Sequence, residues 1–269
     1  MSFKIGFTAQ TEPPKMPTSS IPRSATTVPK KSLVEVFFPD RNLTCSYYND
    51  TFDLAKGDLV YVEGKLEGLR GRVTKVSYTF KIKLSDYKRV IALVDTNVSG
   101  EFFMAGSHFF TFDREALPYE QAIRWLKAPE NEEEEFVSAW GADSFPLDDH
   151  AMNLYPEKAH KGYEYYTEGR VVYIELKDGR GRAVVEGGSV YEVEFYFRDG
   201  IVSSPVCSCY CTDFCKHEFA VMLQLKETLE ILDREYGDAF EFDYISIVSM
   251  PLLFRYGVDG KTRGSVIIE

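Results

Sequence analysis

Four of the chain's five cysteines and one of its four histidines lie within eleven residues, in the segment CSCYCTDFCKH at 207–217. Thiolate sulfur and imidazole nitrogen are ligands that zinc prefers in proteins, and structural zinc sites take four of them in a tetrahedron. The spacing Cys-x-Cys followed by Cys-x-His selects Cys207, Cys209, Cys215 and His217. We predict that these four residues bind one Zn²⁺. The extra thiol, Cys211, either stays outside the site or replaces one of the four.

The chemistry of such a site is structural. A zinc ion with four protein ligands has no open position for a water molecule, so it cannot act as a hydrolytic catalyst. A nucleophile–base pair of Cys215 and His217 is disfavoured, because residues two apart on a helix do not face each other. The stretches GRGRAV at 179–184 and GVDGKT at 257–262 lack residues that nucleotide-binding loops require. We therefore expect a protein that is not an enzyme.

The sequence around the cluster predicts the elements that hold it. From Gly169 onward, the turn signals KDGRG, VEGG and RDG separate runs of alternating apolar residues, which indicates antiparallel hairpins. After the cluster, apolar residues fall at helical spacing: Met222, Leu225, Leu229 and Leu232. A helix is therefore predicted to begin close to Cys215. Two ligands would come from an extended segment and two from the start of the helix.

This pattern resembles the SWIM zinc finger, whose signature is Cys-x-Cys, a variable loop and Cys-x-His. The similarity covers residues 163–232, from the hairpins through the apolar helix. It departs from the family in the short loop YCTDF and in the additional Cys211. SWIM domains occur in Swi/Snf-type ATPases, Mutator-type transposases and some kinases. The resemblance implies binding to DNA or to proteins, and it does not imply an enzyme.

A second group of side chains forms a basic segment at 65–89, which has eight basic residues and two acidic ones. In VTKVSYTFKIKL at 73–84, apolar and polar residues alternate, which predicts one strand with an apolar face and a basic face. Lys75, Lys81 and Lys83 on the basic face are candidate contacts to nucleic-acid phosphates. The alternative is an ordinary solvated sheet face. Two further candidates, Cys45 and His108, lie in apolar surroundings and are assigned to packing.

The sequence around this basic segment, at 37–76, is similar to the small barrel at the start of primosomal replication helicases. In that comparison GDLVYVEG and GRVTKV are successive strands. The similarity implies a β-barrel-like module that binds DNA ends.

The whole chain has 269 residues, of which 44% are hydrophobic, and its net charge is −11. This length and this hydrophobic content are enough for two small domains. We predict the α+β class, with a disordered tail at 1–31, a small β domain at 32–128, an acidic linker at 129–150 and a SWIM-like zinc-binding domain at 151–269. No signal peptide or membrane-length apolar run appears, and the cysteine number is odd. These features predict a cytoplasmic protein with no membrane partner.

Together these features predict a zinc-binding protein that binds nucleic acid, with DNA favoured, or that recruits a partner. The alternative is a protein–protein interaction adaptor, for example to a Swi/Snf-type ATPase or a helicase. In the adaptor, zinc would only hold the fold and nucleic acid would not be contacted. Salt-dependent retention on DNA would separate the two functions.

Overall fold

The computed structural model describes residues 31–130, 143–148, 156–236, 243–258 and 266–268. The chain divides into two compact units: the first comprises residues up to Val94 together with Ile268–Glu269, and the second runs from Asp95 to Ile267. Both contain antiparallel sheets and the second also contains helices, which confirms the predicted α+β class. The predicted tail at 1–31, apart from Lys31, lies outside the described residues, as does most of the predicted linker at 129–150.

The first unit is built on one five-stranded sheet. Its strands are β1 (Ser32–Phe38), β2 (Leu43–Asn49), β3 (Leu59–Val62), β4 (Gly71–Ser77) and β5 (Val90–Val94). Alternate residues of β1 are buried, so its apolar side chains form a core with those of β3 and β4. Short 3-10 helices occupy Pro39–Arg41 and Leu84–Asp86.

The predicted barrel does not close. The strand order is β2-β1-β4-β3-β5, so β2 and β5 are the edges of an open sheet. Within residues 31–94, the bridge recorded between these edges is the isolated parallel pair Tyr48 and Arg89. A barrel requires a continuous ladder between its first and last strands, and one bridge does not provide it.

The second unit contains an eight-stranded sheet and the helices. The strands before the metal-ligand segment are β6 (Val98–Gly100), β7 (Phe103–Ala105), β8 (His108–Thr111), β9 (Ser144–Pro146), β10 (Val171–Lys177), β11 (Arg180–Glu186), β12 (Val190–Arg198) and β13 (Ile201–Cys207). The helices are α1 (Tyr119–Arg124), α2 (Pro156–Thr167), α3 (Lys216–Tyr236) and α4 (Met250–Leu253), and a π-helical turn follows at Phe254–Val258. The remaining strands are β14 (Tyr244–Ser249) and β15 (Val266–Ile268). The large sheet has the order β7-β8-β14-β10-β11-β12-β13-β9.

The predicted hairpins are confirmed from β10 to β13, which pair in sequence as antiparallel neighbours. At the β10–β11 turn, Asp178 and Gly179 have φ angles of 52° and 81°. At the β12–β13 turn, Asp199 and Gly200 have φ angles of 52° and 73°. Two successive left-handed residues make the type I′ turn that Asp-Gly favours, and its twist matches that of the strands it joins.

Helix α3 begins where the sequence predicted and packs its apolar face on this sheet. Met222 and Leu225 are fully buried in one core with strand residues such as Val193. Helix α2 packs against α3 at Gly162, where a Cβ atom would come within 2.5 Å of the Phe219 ring. Glycine at this position therefore allows the two helices to approach closely. No helix in the described part of the chain is long and apolar enough to cross a membrane.

The division of the chain differs from the predicted β domain at 32–128, because the main segment of the first unit ends at Val94. Strands β7 and β8 belong instead to the large sheet of the second unit, where β8 pairs with β14. All four side chains of β8 are buried. Strand β8 pairs locally with β7, but its other partner, β14, lies more than a hundred residues further along the chain, and local sequence does not identify such a pairing.

Candidate metal centre

The structure brings the four predicted ligands together at the junction of β13 and α3. Cys207 is the last residue of β13, Cys209 lies in the following loop, Cys215 directly precedes α3 and His217 is in its first turn. Their ligand atoms all lie within 4.8 Å of one another. Cys215 and His217 are buried, whereas Cys211 is exposed and lies outside this group. All five cysteines are free thiols.

The distances fit a tetrahedral ion. His217 Nδ1 lies 3.6 Å from Cys207 Sγ and 3.7 Å from Cys215 Sγ. In a tetrahedral zinc site with ordinary bond lengths, a ligand sulfur and a ligand nitrogen are about 3.6 Å apart. The cluster is therefore compatible with a Cys₃His zinc site in which His217 binds through Nδ1.

A β-bulge directs Cys207 toward the core side of the sheet. Cys207 pairs with Val193 and Val202 pairs with Phe197, so between these pairs β13 contains one residue more than β12. Ser204, within the extra stretch, has a φ angle of 51°, in the left-handed region. Side chains alternate between the two faces of a strand, and one extra residue reverses that alternation. Cys207 consequently packs against the same core as Val202, on the side where α3 lies.

The start of α3 holds the second pair of ligands. The Cys215 carbonyl accepts the first helical hydrogen bond, from the Phe219 N–H at 3.0 Å. The Cys215 N–H donates to the carboxylate of buried Glu218. This is the backward half of a capping box, in which an acidic side chain three residues into the helix satisfies the N-cap amide. It fixes Cys215 at a helix N-terminus, where the helix dipole favours negative charge such as a thiolate.

Two tyrosine rings enclose the His217 imidazole. Tyr191 stacks on it, with ring centroids 4.0 Å apart and an interplanar angle of 19°. Tyr165 meets it edge-on, with centroids 5.3 Å apart. His217 Nε2 is buried and has no hydrogen-bond partner among the residues that the structure describes. In most metal sites, the histidine nitrogen that does not bind the metal donates a hydrogen bond that orients the ring. Here aromatic packing orients the ring instead.

Without a metal ion, Cys209 and Cys215 are protonated and His217 is neutral. Burial raises the pKa of the Cys209 thiol to about 11. The pKa of the Cys215 thiol lies far above its usual range, because it shares a hydrogen bond with Cys207 and because it is buried. Burial and the neighbouring Lys216 ammonium lower the pKa of His217 to about 4. The imidazole is therefore neutral, as a ligand must be, and a metal ion would release protons from the thiols.

The loop between Cys207 and Cys215 is anchored on both sides. The Ser208 N–H donates to the Glu192 carbonyl at 2.9 Å, and the Glu192 N–H donates to the Ser208 hydroxyl oxygen, also at 2.9 Å. At the other end, the Phe214 ring packs edge-on against Phe145 at 5.2 Å. Lys158 of α2 lies 3.6 Å from Asp213. Between these anchors, the Tyr210 side chain is fully exposed to solvent.

The strand predicted for the basic segment is wrong beyond Ser77, where β4 ends. Its partner strand β1 runs out at this point, because Leu33 near the start of β1 pairs with Ser77. Without a neighbouring ladder the alternating residues have no sheet to join, and Tyr78 is 53% exposed. Lys81 and Lys83 therefore do not share a strand face with Lys75.

All three lysines are nevertheless exposed. Lys75 Nζ lies 3.1 Å from Glu35 in the neighbouring strand. Lys83 Nζ lies 4.0 Å from Asp86, in the 3-10 helix that follows it. Such pairs between exposed charges are weak in water, so they compete little with a polyanion.

The residues assigned to packing have that role in the structure. His108 is buried, with Nε2 2.7 Å from the Val171 carbonyl oxygen and Nδ1 3.0 Å from the Ser107 hydroxyl. Cys45 is half-buried against the core of the first unit.

The two remaining histidines are not among the candidate ligands. His160 is exposed and lies 3.4 Å from Glu164. His150 lies outside the described residues.

Sequence reasoning missed three side chains that support the metal centre: Glu218, Tyr191 and Tyr165. The spacing of Glu218 from Cys215 is that of a capping box, so this role could have been recognised. The two tyrosines come from a strand and a helix that are distant in sequence from His217, and their convergence depends on the folded sheet.

Comparisons with protein-family models, with curated proteins and with solved structures found no match for this chain.

Proposed function

We propose that the chain is a zinc-binding protein that binds nucleic acid or recruits a partner to it, and that its zinc site is structural. The observation that carries this proposal is the four-ligand cluster at the junction of β13 and α3. Four protein ligands fill a tetrahedral ion, whose positive charge would stabilise the three thiolates and join the sheet to the helix. The site offers no place for substrate chemistry, which supports a function other than catalysis.

A SWIM-like assignment belongs to this proposal. It is supported by the order of the elements, since antiparallel hairpins lead into the Cys-x-Cys pair and an apolar helix follows the Cys-x-His pair. Such a module would contact DNA or a protein. Five free thiols suit a reducing compartment, and we propose a cytoplasmic location.

Nucleic-acid binding is supported by the distribution of charge. Residues 1–94 contain fifteen basic and nine acidic side chains, whereas residues 95–269 contain sixteen and thirty-three. The net charge of −11 thus conceals a first part that is positive. Lys75, Lys81 and Lys83 are exposed within it and are the proposed phosphate contacts. The proposed ligand is nucleic acid, with DNA favoured.

The alternative is a protein–protein interaction adaptor, and one observation favours it. Tyr210 is fully exposed on a loop that is anchored at both ends and flanked by metal ligands. Exposed aromatic side chains on rigid supports are typical anchors of protein interfaces. In this function, a helicase or a Swi/Snf-type ATPase would be the partner and nucleic acid would not be contacted.

The zinc site is tested by elemental analysis of reduced protein, which should contain about one zinc per chain. Separate substitutions Cys207→Ser, Cys209→Ser, Cys215→Ser and His217→Ala should each weaken or abolish zinc binding. Cys211→Ser is the matched control and should keep the metal, because this thiol is exposed and lies outside the cluster. Metal-free wild-type protein, or loss of zinc only in the control, would refute the assignment.

Nucleic-acid binding is tested by fluorescence anisotropy with labelled duplex DNA at several salt concentrations. Three phosphate contacts predict a slope of about −3 for log K against log salt. The variant Lys75→Ala/Lys81→Ala/Lys83→Ala should bind weakly and with a flatter slope. The control variant Lys161→Ala/Lys177→Ala/Arg198→Ala removes the same charge from exposed positions of the second unit and should bind like the wild type. No binding at low salt, or equal slopes in the two variants, would favour the adaptor.

A further inference from the structure

The loop that follows β4 places an aromatic side chain among the proposed phosphate contacts. Its sequence is YTFKIK, at residues 78–83, and it joins β4 to the 3-10 helix at Leu84–Asp86. Phe80 anchors this loop, because its ring packs edge-on against Tyr48 of β2 with centroids 6.3 Å apart. The backbone amide of Tyr48 donates to the Lys88 carbonyl at 2.9 Å. The loop is therefore held beside the basic residues that precede β5.

A basic side chain also packs against the aromatic pair of Tyr48 and Phe80. The Arg89 guanidinium lies 5.3 Å from the centroid of the Tyr48 ring and is fixed by two hydrogen bonds to Asp50. The Lys88 side chain lies over Gly64, where a Cβ atom would be 3.2 Å from it. Lys81 and Lys83 belong to the loop itself and are exposed. Basic residues thus adjoin both members of the aromatic pair, since Arg89 lies at the Tyr48 ring and Lys81 follows Phe80 in the chain.

Tyr78 differs from the other aromatic residues of this unit because it points into solvent. Among residues 31–94, the exposed large apolar side chains are Leu43, Tyr78 and Leu84. Of these, Tyr78 is the aromatic one, and it lies in the chain between Lys75 and Lys81. An exposed aromatic ring between lysines has the composition of a single-strand binding surface, in which bases stack on rings while cations follow the phosphates.

We infer that the first unit prefers single-stranded nucleic acid to duplex, and that Tyr78 stacks on an unpaired base. A duplex hides the faces of its bases, so it can use the lysines but not the ring. A single strand can use both. This inference rests on the proposed nucleic-acid function and adds the strandedness of its ligand.

The experiment compares a labelled oligothymidine with a duplex of equal length, using the full chain and fluorescence anisotropy at several salt concentrations. The wild type should bind the single strand more tightly. Tyr78→Ala should weaken single-strand binding about tenfold and leave duplex binding unchanged, while Tyr78→Phe keeps the ring and should retain the affinity. The salt slope of single-strand binding, about −2 for three contacts, should stay the same in Tyr78→Ala, because no phosphate contact is lost.

Tyr196→Ala is the matched control, since this side chain is 48% exposed but belongs to the second unit. Equal affinity of the wild type for the two ligands, or a Tyr78→Ala variant that binds the single strand normally, would overturn the inference while leaving the proposed function intact. An equal loss for both ligands in Tyr78→Ala would also overturn it. If the wild type binds neither ligand, both this inference and the proposed nucleic-acid binding are overturned, and the adaptor function is favoured.

Discussion

His217 depends on its aromatic neighbours for its orientation. The stacked Tyr191 ring prevents rotation of the imidazole on one face, and the edge of Tyr165 lies against it from another direction. Since Nε2 has no hydrogen-bond partner among the described residues, these rings replace the outer hydrogen bond that orients most metal-binding histidines. Tyr191 therefore positions the His217 ring for the proposed zinc site and is not one of its four candidate ligands.

We predict that Tyr191→Leu lowers zinc affinity about tenfold, the lower end of the effect of losing an outer-shell partner. Tyr191→Phe keeps the stacked ring and should bind zinc like the wild type. The measurement is competition for zinc with a chromophoric chelator. Tyr163→Leu, at an exposed position of α2, controls for general effects of losing a tyrosine. Equal affinities of the Leu and Phe variants would contradict the positioning role.

His108 makes the second unit sensitive to acid. Its burial lowers its pKa below the ordinary value of 6.5, although its hydrogen bond to the Val171 carbonyl opposes the shift. The folded state therefore takes up this proton less readily than the unfolded state does. Stability from this group is complete above about pH 6.5 and falls as the pH drops toward the lowered folded pKa, by at most about 1.4 kcal/mol per pH unit.

We predict that the zinc-loaded wild type loses more unfolding free energy than His108→Gln does when the pH is lowered from about 7 to about 5.5. The variant is less stable at neutral pH, but it lacks the titrating group. Urea unfolding at both pH values gives the difference, and contributions from all other groups cancel in the comparison. Parallel pH profiles for the two proteins would show that His108 does not carry this dependence.

At the scale of the elements, the bulge in β13 decides whether the sheet can supply Cys207. Ser204 adopts a left-handed backbone conformation, which costs most L-residues about 1–2 kcal/mol but is tolerated by asparagine and glycine. Its N–H donates to the Asp143 carbonyl at 2.7 Å, which fixes the bulge against the residue that precedes β9. The strand thus carries local strain in order to place one ligand.

We predict that Ser204→Val destabilises the second unit by about 1–2 kcal/mol and weakens zinc binding, because a β-branched residue resists the left-handed conformation. Ser204→Asn should have little effect on either property. Thermal unfolding and zinc competition, measured on both variants, test the two effects together. A valine variant with wild-type zinc affinity would mean that the bulge does not control the position of Cys207.

The elements predicted correctly are those whose signals are local. The two Asp-Gly turns fix their hairpins through the backbone preferences of two residues, and the spacing of Met222 and Leu225 marks the buried face of α3. The bulge is not among the predicted features, although the sequence carries a signal for it: Pro205 lies within the bulge, and proline inside a strand is confined to edges, strand starts and bulges. The strand through Lys81 was wrong because alternation fits a sheet only where a partner strand is present.

At the scale of the whole molecule, the ligand segment was predictable and the division of the chain was not. The concentration of cysteine and histidine in one segment identifies the candidate ligands from sequence alone. These four residues span only eleven positions, so they lie close together in the fold. The boundary after Val94 depends instead on β8, which pairs with β14 from the far end of the chain. Such long-range pairing is decided by the complete sheet, so the division after Val94 differs from the predicted domain boundary near residue 128.

The division into two units predicts which unit depends on zinc for its stability. All four ligands belong to the second unit, and they attach the first turn of α3 to the end of β13. The core of the first unit, which includes Val34, Val36 and Val60, contains none of them. Because metal binding to a small site is coupled to folding, removal of zinc should destabilise the unit that contains the ligands by several kcal/mol.

We therefore predict that a chelator increases amide hydrogen exchange in β13 and α3 and leaves the amides of β1 and β3 unchanged. Exchange measured by mass spectrometry resolves the two regions in one experiment. Cys207→Ser without a chelator should reproduce the chelated pattern, and Cys211→Ser should resemble the zinc-loaded wild type. Increased exchange throughout β1 would mean that the first unit also depends on the metal. Unchanged protection in α3 would mean that the sheet and helix hold the ligands in place without it, since the packing of Met222 and Leu225 would then suffice to fix the helix.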